Sequence, residues 1–274
     1  MKVVITGASG FLGKALHKIL LMQGDDVYGF TRGSKEGFIN VSSYTQLPFI
    51  DDAVLVHLAQ SRDNSTNYNQ SEVDLCGALA ARQWSHVVYA SSALVYGDRH
   101  RHPHMPEEPV TPFNEYTKMK IECEEIFAAA GATCLRISNL YGPGMSDHSV
   151  VADILRQLPG EGPMKLKDPK PVRDFLWIKD AAACLAAACS AKVSSTFNSG
   201  SGKSITVGDL ARMALHIAGE QVRAVATVGE SDSSSCLKLD ISKTRFMLSW
   251  SPEIDLRSGL TTLLKAKQCQ PVSA

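Results

Sequence analysis

KVVITGASGFLG, residues 2–13, is the stretch on which the fold turns. Lys2 to Thr6 is apolar and β-branched, the pattern of a buried strand. Gly7, Gly10 and Gly13 follow at three-residue intervals. From Lys14 to Gln23, Ala15, Leu16, Ile19 and Leu20 share one helical face, and Gly24 stops the helix. A glycine turn between strand and helix lets the backbone approach a pyrophosphate. The N–H groups and dipole of the helix then favour that negative charge. The spacing is not G-x-G-x-x-G, so the match is one of logic and not of letters. An ordinary tight turn would use the same glycines. Placement at the head of an alternating βα chain is what favours a dinucleotide.

Working outward, Asp26 to Phe30 reads as a second strand. A carboxylate that reads the cofactor ribose is expected at its end. The chain has Phe30-Thr31-Arg32-Gly33-Ser34-Lys35 there instead. An arginine can pair with the 2′-phosphate of NADP, so NADP is preferred and NAD is the alternative. Phe38 to Val41 is a short third strand and Ala53 to Ala59 a fourth, in which His57 reads as a core histidine. Ser61 to Gln70 is polar and reads as a loop, followed by a helix to about Gln83. His86 to Ala90 is a fifth strand, leading into Ser91-Ser92-Ala93-Leu94-Val95-Tyr96-Gly97. Strands alternating with helices predict a doubly wound parallel α/β sheet of Rossmann type. Ligands sit at the C-terminal ends of such strands. The glycine turn, Arg32, Ala59 and Ser92 all fall on that edge.

Tyr116-Thr117-Lys118-Met119-Lys120 supplies the chemistry. Tyr116 and Lys120 are four apart and share a helical face. Pro112 and Asn114 fit the start of this helix and Gly131 its end. A free tyrosine has a pKa of about 10. A lysine ammonium beside it favours the phenolate and makes it a usable acid/base. Alone, the spacing is common on surface helices.

Beyond Gly144 the chain leaves the sheet. Val150–Leu158 is read as a helix, 159–163 as a connection, and Arg173–Ile178 as extended. Asp180–Ser190 is an alanine-rich helix and Phe197–Gly200 a last strand. Ile205–Gly219, with Thr206 as N-cap, and Asp240–Trp250 form a further excursion. The predicted division is 1–144 for the Rossmann domain, rejoined by about 173–200. The smaller interleaved substrate part takes 145–172 and 201–274.

Composition narrows the partners. Lys+Arg and Asp+Glu both number 28, so no basic excess points to nucleic acid or an anionic membrane. Seven scattered cysteines without CxxC spacing suit reduced buried thiols in a cytoplasmic protein. The apolar residues 2–6 belong to the strand–turn motif and are not read as a signal peptide. Arg99-His100-Arg101-His102-Pro103-His104 alternates histidines as a chelator would. Pro103, Pro106, Pro109 and Pro112 indicate irregular backbone, so no metal is expected.

Six segments occur together in order: TGASGFLG (6–13), VHLA (56–59), SSALVYG (91–97), YTKMK (116–120), LRISNLYGPG (135–144) and RDFLWIKDA (173–181). On these the chain resembles the extended short-chain dehydrogenases/reductases, in the NAD(P)-dependent nucleotide-sugar epimerase/dehydratase/reductase group. The resemblance implies cofactor contacts at Gly7, Gly10, Phe11, Leu12, Gly13, Thr31, Arg32, Leu58 and Ala59, and again at Tyr116 and Lys120. It makes Tyr116 the acid/base. Ser92 becomes the donor to the reacting oxygen, and Lys120 the residue that holds the nicotinamide ribose. Asn139 and Arg173 are placed at the substrate's diphosphate. The dehydratase members carry Asp-Glu after the serine or threonine, where this chain has Ala93-Leu94, so dehydration is set aside. The chain is short between Arg32 and Asp51 and in its C-terminal part.

The resulting expectation is a nucleotide-sugar 4-ketoreductase, and the resemblance implies pairing into a homodimer. A 4-epimerase that retains NAD is the alternative, and a reductase of a non-nucleotide carbonyl a further one. A non-catalytic NAD(P)-binding protein need not keep Ser92, Tyr116 and Lys120 together.

Overall fold

Val3, Val4 and Ile5 of β1 (Lys2–Thr6) have no exposed surface. A strand buried on both faces belongs in the middle of a parallel sheet. The structure, a computed structural model, places it there and describes residues 1–60, 68–229 and 235–268. Residues 61–67 of the loop read at 61–70, and Cys269, lie outside the described residues. On one side of β1 stand β2 (Asp26–Thr31) and β3 (Ile39–Asn40). On the other stand β4 (Ala53–His57), β5 (His86–Ser92), β6 (Thr133–Ile137) and β10 (Thr196–Ser199). Every neighbouring pair in this seven-stranded sheet is parallel. The strand order reverses between β1 and β4, which opens a crevice at their C-terminal ends.

Alternation along β1 feeds two cores. Val3 and Ile5 pack with Leu16 and Leu20 of α1 (Phe11–Met22) and the alanines of α5 (Ile178–Ala191). Val4 packs on the other face with Leu79 of α2 (Gln70–Ala80) and with Met119 and Phe127 of α3 (Glu115–Ala129). A third core belongs to the C-terminal part. It gathers Tyr141, Ile154, Phe175, Trp177, Leu210 and Leu260. These come from β7 (Asn139–Tyr141), α4 (Val150–Arg156), β9 (Val172–Trp177), α6 (Val207–Ile217) and α8 (Leu256–Gln268). With β11 (Ser204–Thr206), β9 and β7 form a small sheet in the order β11-β9-β7. β9 is the seam between the cores: Leu176 faces the first, while Phe175 and Trp177 face the third.

Several boundaries differ from the sequence reading. α1 starts at Phe11 and not at Lys14, with Gly13 already inside the helix. β4 ends at His57, because Leu58 and Ala59 turn their N–H groups toward Thr6 Oγ1 at 3.3 and 3.4 Å. β6 carries Arg136, which breaks the apolar pattern of a buried strand. That guanidinium is satisfied internally. Its Nε and Nη2 donate to Glu124 of α3 at 3.1 and 2.8 Å, and Nη1 donates to Pro106 O at 3.2 Å. It also lies 4.7 Å from the ring centroid of Tyr96.

The pair Arg136–Glu124 anchors the middle of α3 to the sheet and is nearly free of solvent. Removing one partner leaves a buried charge unmatched. Glu124→Gln is expected to destabilise the fold by about 3 kcal/mol, read as a lower midpoint in urea unfolding.

Candidate active site

The glycine turn is shaped by contact. Gly7 has φ +69°, and a Cβ on it would lie 2.9 Å from the Cα and N of Ala59. A Cβ on Gly13 would lie 2.3 Å from the carbonyl oxygen of Gly7. Gly10 donates its N–H to that oxygen at 2.9 Å and caps α1 without a side chain. The first turn of α1 has no acidic residue. The first helical bond outside the regular ladder runs from Lys14 N to Gly10 O at 3.0 Å. The N–H groups of Phe11, Leu12 and Gly13 precede it and have no acceptor in the helix. Open N–H donors beside a backbone without side chains fit a dinucleotide's pyrophosphate.

At the end of β2, Thr31 Oγ1 and Ser9 Oγ are 2.7 Å apart. Arg32 is exposed, and its guanidinium lies 5.5 Å from the ring centroid of Tyr44. The Tyr44 hydroxyl in turn accepts from Gly7 N at 3.1 Å. Tyr44 therefore joins the glycine turn to Arg32. It sits in a short 3₁₀ turn, Tyr44–Gln46, and no motif or periodicity marks it in the sequence.

The second group gathers around α3. Asn114 caps this helix: its Oδ1 accepts from Thr117 N at 2.8 Å, and Thr117 Oγ1 accepts from Asn114 N at 3.2 Å. The capping box fixes the first turn, where Tyr116 stands half-buried. One turn on, Lys120 is buried, and its ammonium donates to Ala90 O at 3.1 Å and to the Tyr89 hydroxyl at 3.2 Å. An ammonium has three donors, so one remains. These bonds bring α3 against β5, two residues before Ser92. Ser92 ends β5 and caps the 3₁₀ turn Ala93–Tyr96, its Oγ accepting from Leu94 N at 3.2 Å. The hydroxyl hydrogen of Ser92 stays available as a donor. Burial holds the Tyr89 hydroxyl well above the ordinary tyrosine pKa, so it remains a neutral partner for Lys120.

Asn139 and Arg173 occupy neighbouring strands of the small sheet. Asn139 Nδ2 donates to Asp174 O at 3.2 Å. Arg173 Nη2 donates to Asp98 Oδ2 at 3.3 Å and to Ser235 Oγ at 2.6 Å. Asp98 directly follows the Ser91–Gly97 segment, so the guanidinium is tied to the chain that leaves that segment. The other carboxylates of the RDFLWIKDA segment are structural. Asp174 accepts from Ser201 N at 2.7 Å and Gly202 N at 2.9 Å, and Asp180 accepts from Ile254 N at 3.0 Å.

His57 is a core group, as its apolar setting predicts. It is buried, Nδ1 lies 2.7 Å from Thr6 Oγ1, and its ring stacks on Tyr89. Burial, then the positive charges of Lys120 and Arg32, hold its pKa down to about 3.

A family model for the NAD dependent epimerase/dehydratase family matches residues 3–200. UDP-glucuronic acid decarboxylase 1 of Arabidopsis thaliana is 27% identical over 301 residues, which cover 96% of this chain and 69% of that protein. A dTDP-6-deoxy-L-talose 4-dehydrogenase (NAD(P)(+)) of Kitasatospora kifunensis is 22% identical over 309 residues, covering 99% and 97%. Among solved structures, UDP-N-acetylglucosamine 4-epimerase from Bacillus cereus superposes with a TM-score of 0.85 at 24% identity, covering 100% of this chain and 99% of that one. No helix among the described residues is long and apolar enough to cross a membrane.

The depressed pKa of His57 has a stability consequence. The unfolded chain binds a proton near pH 6.5, where the folded chain does not. Stability from His57 is full above pH 6.5 and falls as pH drops from there toward about 3. His57→Asn, which retains a polar partner for Thr6, is expected to flatten the slope of unfolding free energy against pH in that window. A slope equal to wild type would show that His57 does not drive it.

Proposed function

The chain belongs to the NAD dependent epimerase/dehydratase family, and on that footing we propose that it is an NADP-dependent 4-ketoreductase of a nucleotide sugar. The observation that carries the choice is Arg32. It stands exposed at the end of β2, over Tyr44, where an acid that prefers NAD is absent. The full-length similarity to a 4-dehydrogenase that uses NAD(P)(+) supports the same reading. The similarity to 4-epimerases supports a second one, in which NAD is retained and the hydride returns to the same sugar.

The dinucleotide, when bound, supplies or accepts the hydride. The chain's own residues do the rest. Backbone N–H groups of Phe11, Leu12 and Gly13 hold the pyrophosphate, and Leu58 and Ala59 line the crevice beside Gly7. Ser92 donates its free hydroxyl hydrogen to the reacting oxygen. Tyr116 moves a proton to or from that oxygen. Lys120, fixed by Ala90 and Tyr89, presents its remaining N–H to the ribose and its charge to Tyr116. Ala93 is buried and Leu94 exposed and apolar, so the turn offers no carboxylate for eliminating water. Arg173 exchanges Asp98 for the substrate's diphosphate, which matches its fork with two oxygens. The segments 145–172 and 201–274 make up the substrate-binding part, and two copies pair through α2 and α3.

Tyr116→Phe is expected to bind the dinucleotide as wild type does and to lose at least about a hundredfold in kcat. Unchanged turnover would remove Tyr116 from its role. Arg32→Ala should weaken NADPH by at least about tenfold, the loss of one charge-assisted pair, with little change for NADH. Equal effects on both would mean that Arg32 does not read the 2′-phosphate. Denaturing the purified protein distinguishes the two readings: a released, tightly held NAD would favour the epimerase, and an empty site selective for NADPH the reductase.

A further inference from the structure

The proline-rich segment after the Ser92 turn does more than connect. Isolated bridges pair Arg99 with Cys236 and His104 with Leu239, so the segment is tied at two points to residues 236–239. The tied segment gathers the alternating histidines. The ring centroids of His100 and His102 are 5.4 Å apart, those of His102 and His104 5.0 Å, and those of His100 and His104 5.6 Å. Glu108 returns into the cluster from the following turn. Its carboxylate lies 2.7 Å from His104 Nδ1 and 3.4 Å from His102 Nε2. One donor atom each from His102, His104 and Glu108 falls within 4.8 Å of the others.

We propose that His102, His104 and Glu108 bind a divalent transition ion of the zinc class, with exposed His100 swinging in as fourth ligand. Two imidazoles and a carboxylate are the donor set such borderline ions take. Bonds of about 2.0 Å in a tetrahedron put ligand atoms about 3.3 Å apart. The His102–Glu108 separation of 3.4 Å already meets that edge, and the His104–Glu108 contact has only to open from 2.7 Å. His104 is buried and stacked on Tyr96, with centroids 4.6 Å apart and planes at 7°, so one ligand is rigid before any ion arrives. Its Nε2 has no hydrogen-bond partner, so a buried ring nitrogen remains unmatched. The second Glu108 oxygen is held by Met105 N at 2.8 Å. The intervening positive charges look elsewhere. Arg99 pairs with Asp98 at 3.8 Å, and Arg101 lines a separate cavity of about 440 Å³ with Lys170, Arg212 and Lys238.

The test uses the full chain, stripped with EDTA and titrated with Zn²⁺ against a chromophoric competitor. One ion per chain is expected. His102→Ala and Glu108→Gln, both at solvent-accessible positions, should each weaken it by about tenfold or more, whereas exposed His148→Ala should not. Co²⁺ substituted for Zn²⁺ should give a tetrahedral visible spectrum without a thiolate band. No stoichiometric binding, or binding that both variants leave intact, overturns the site.

Discussion

The backbones of Gly7, Gly13 and Ala59 meet at the point where the strand order reverses, and there is no room between them for a methyl group. Everything on the C-terminal edge of the sheet takes its place from that contact. It draws the start of α1 down onto β1, so that the uncapped N–H groups of α1 face the crevice. It also ends β4 early, since Leu58 and Ala59 must turn to satisfy Thr6 Oγ1. Thr6 in turn reaches His57, whose ring stacks on Tyr89, and Tyr89 accepts from Lys120. A chain of direct contacts thus runs from the glycine turn to the helix bearing Tyr116. Burial keeps His57 and Tyr89 neutral, so Lys120 is the charged member of this chain of contacts.

The helix bearing Tyr116 is held at three heights. The capping box fixes its first turn, Lys120 ties its second to β5, and Glu124 ties its third to Arg136 of β6. The last two attachments use buried polar side chains on the face that packs against the sheet, where unpaired groups are costly. That arrangement leaves Tyr116 little freedom of position while its ring edge stays open to solvent. The same logic holds the smaller sheet. Asp174 and Asp180 are buried carboxylates spent on backbone N–H groups, and they lock β9 and α5 to the loops after them.

Much of this was legible in the sequence. Apolar strands alternating with helices are read from periodicity, and the glycine spacing locates the crevice, because only glycine fits there. Tyr116 and Lys120 are picked out by spacing and Ser92 by resemblance; Ser92 ends β5, and Tyr116 and Lys120 stand on the helix that Lys120 ties to that strand. Tyr44 was not legible: its role depends on a ring meeting Gly7 and Arg32 from a short turn with no pattern of its own. Nor was β6, since Arg136 reads as a surface charge until Glu124 is seen across from it. The histidines were visible as a motif, but prolines argued for an irregular path. The path is irregular, and two bridges to residues 236–239 still bring the rings together.

The turn from Ser92 to Tyr96 links these two regions. At one end Ser92 closes β5 and faces the crevice. At the other, Tyr96 is clamped between Arg136, Asn198 and His104, its hydroxyl donating to Asn198 Oδ1 at 2.7 Å. Ala93–Tyr96 is a single 3₁₀ turn, so Ser92 and Tyr96 stand at the two ends of one short element. His104 stacks on Tyr96, so the histidine cluster and Ser92 lie at opposite ends of that turn. Asp98, two residues past Tyr96, accepts from Arg173. The chain beyond the turn thus joins the Ser92 turn, through Asp98, to Arg173 of β9.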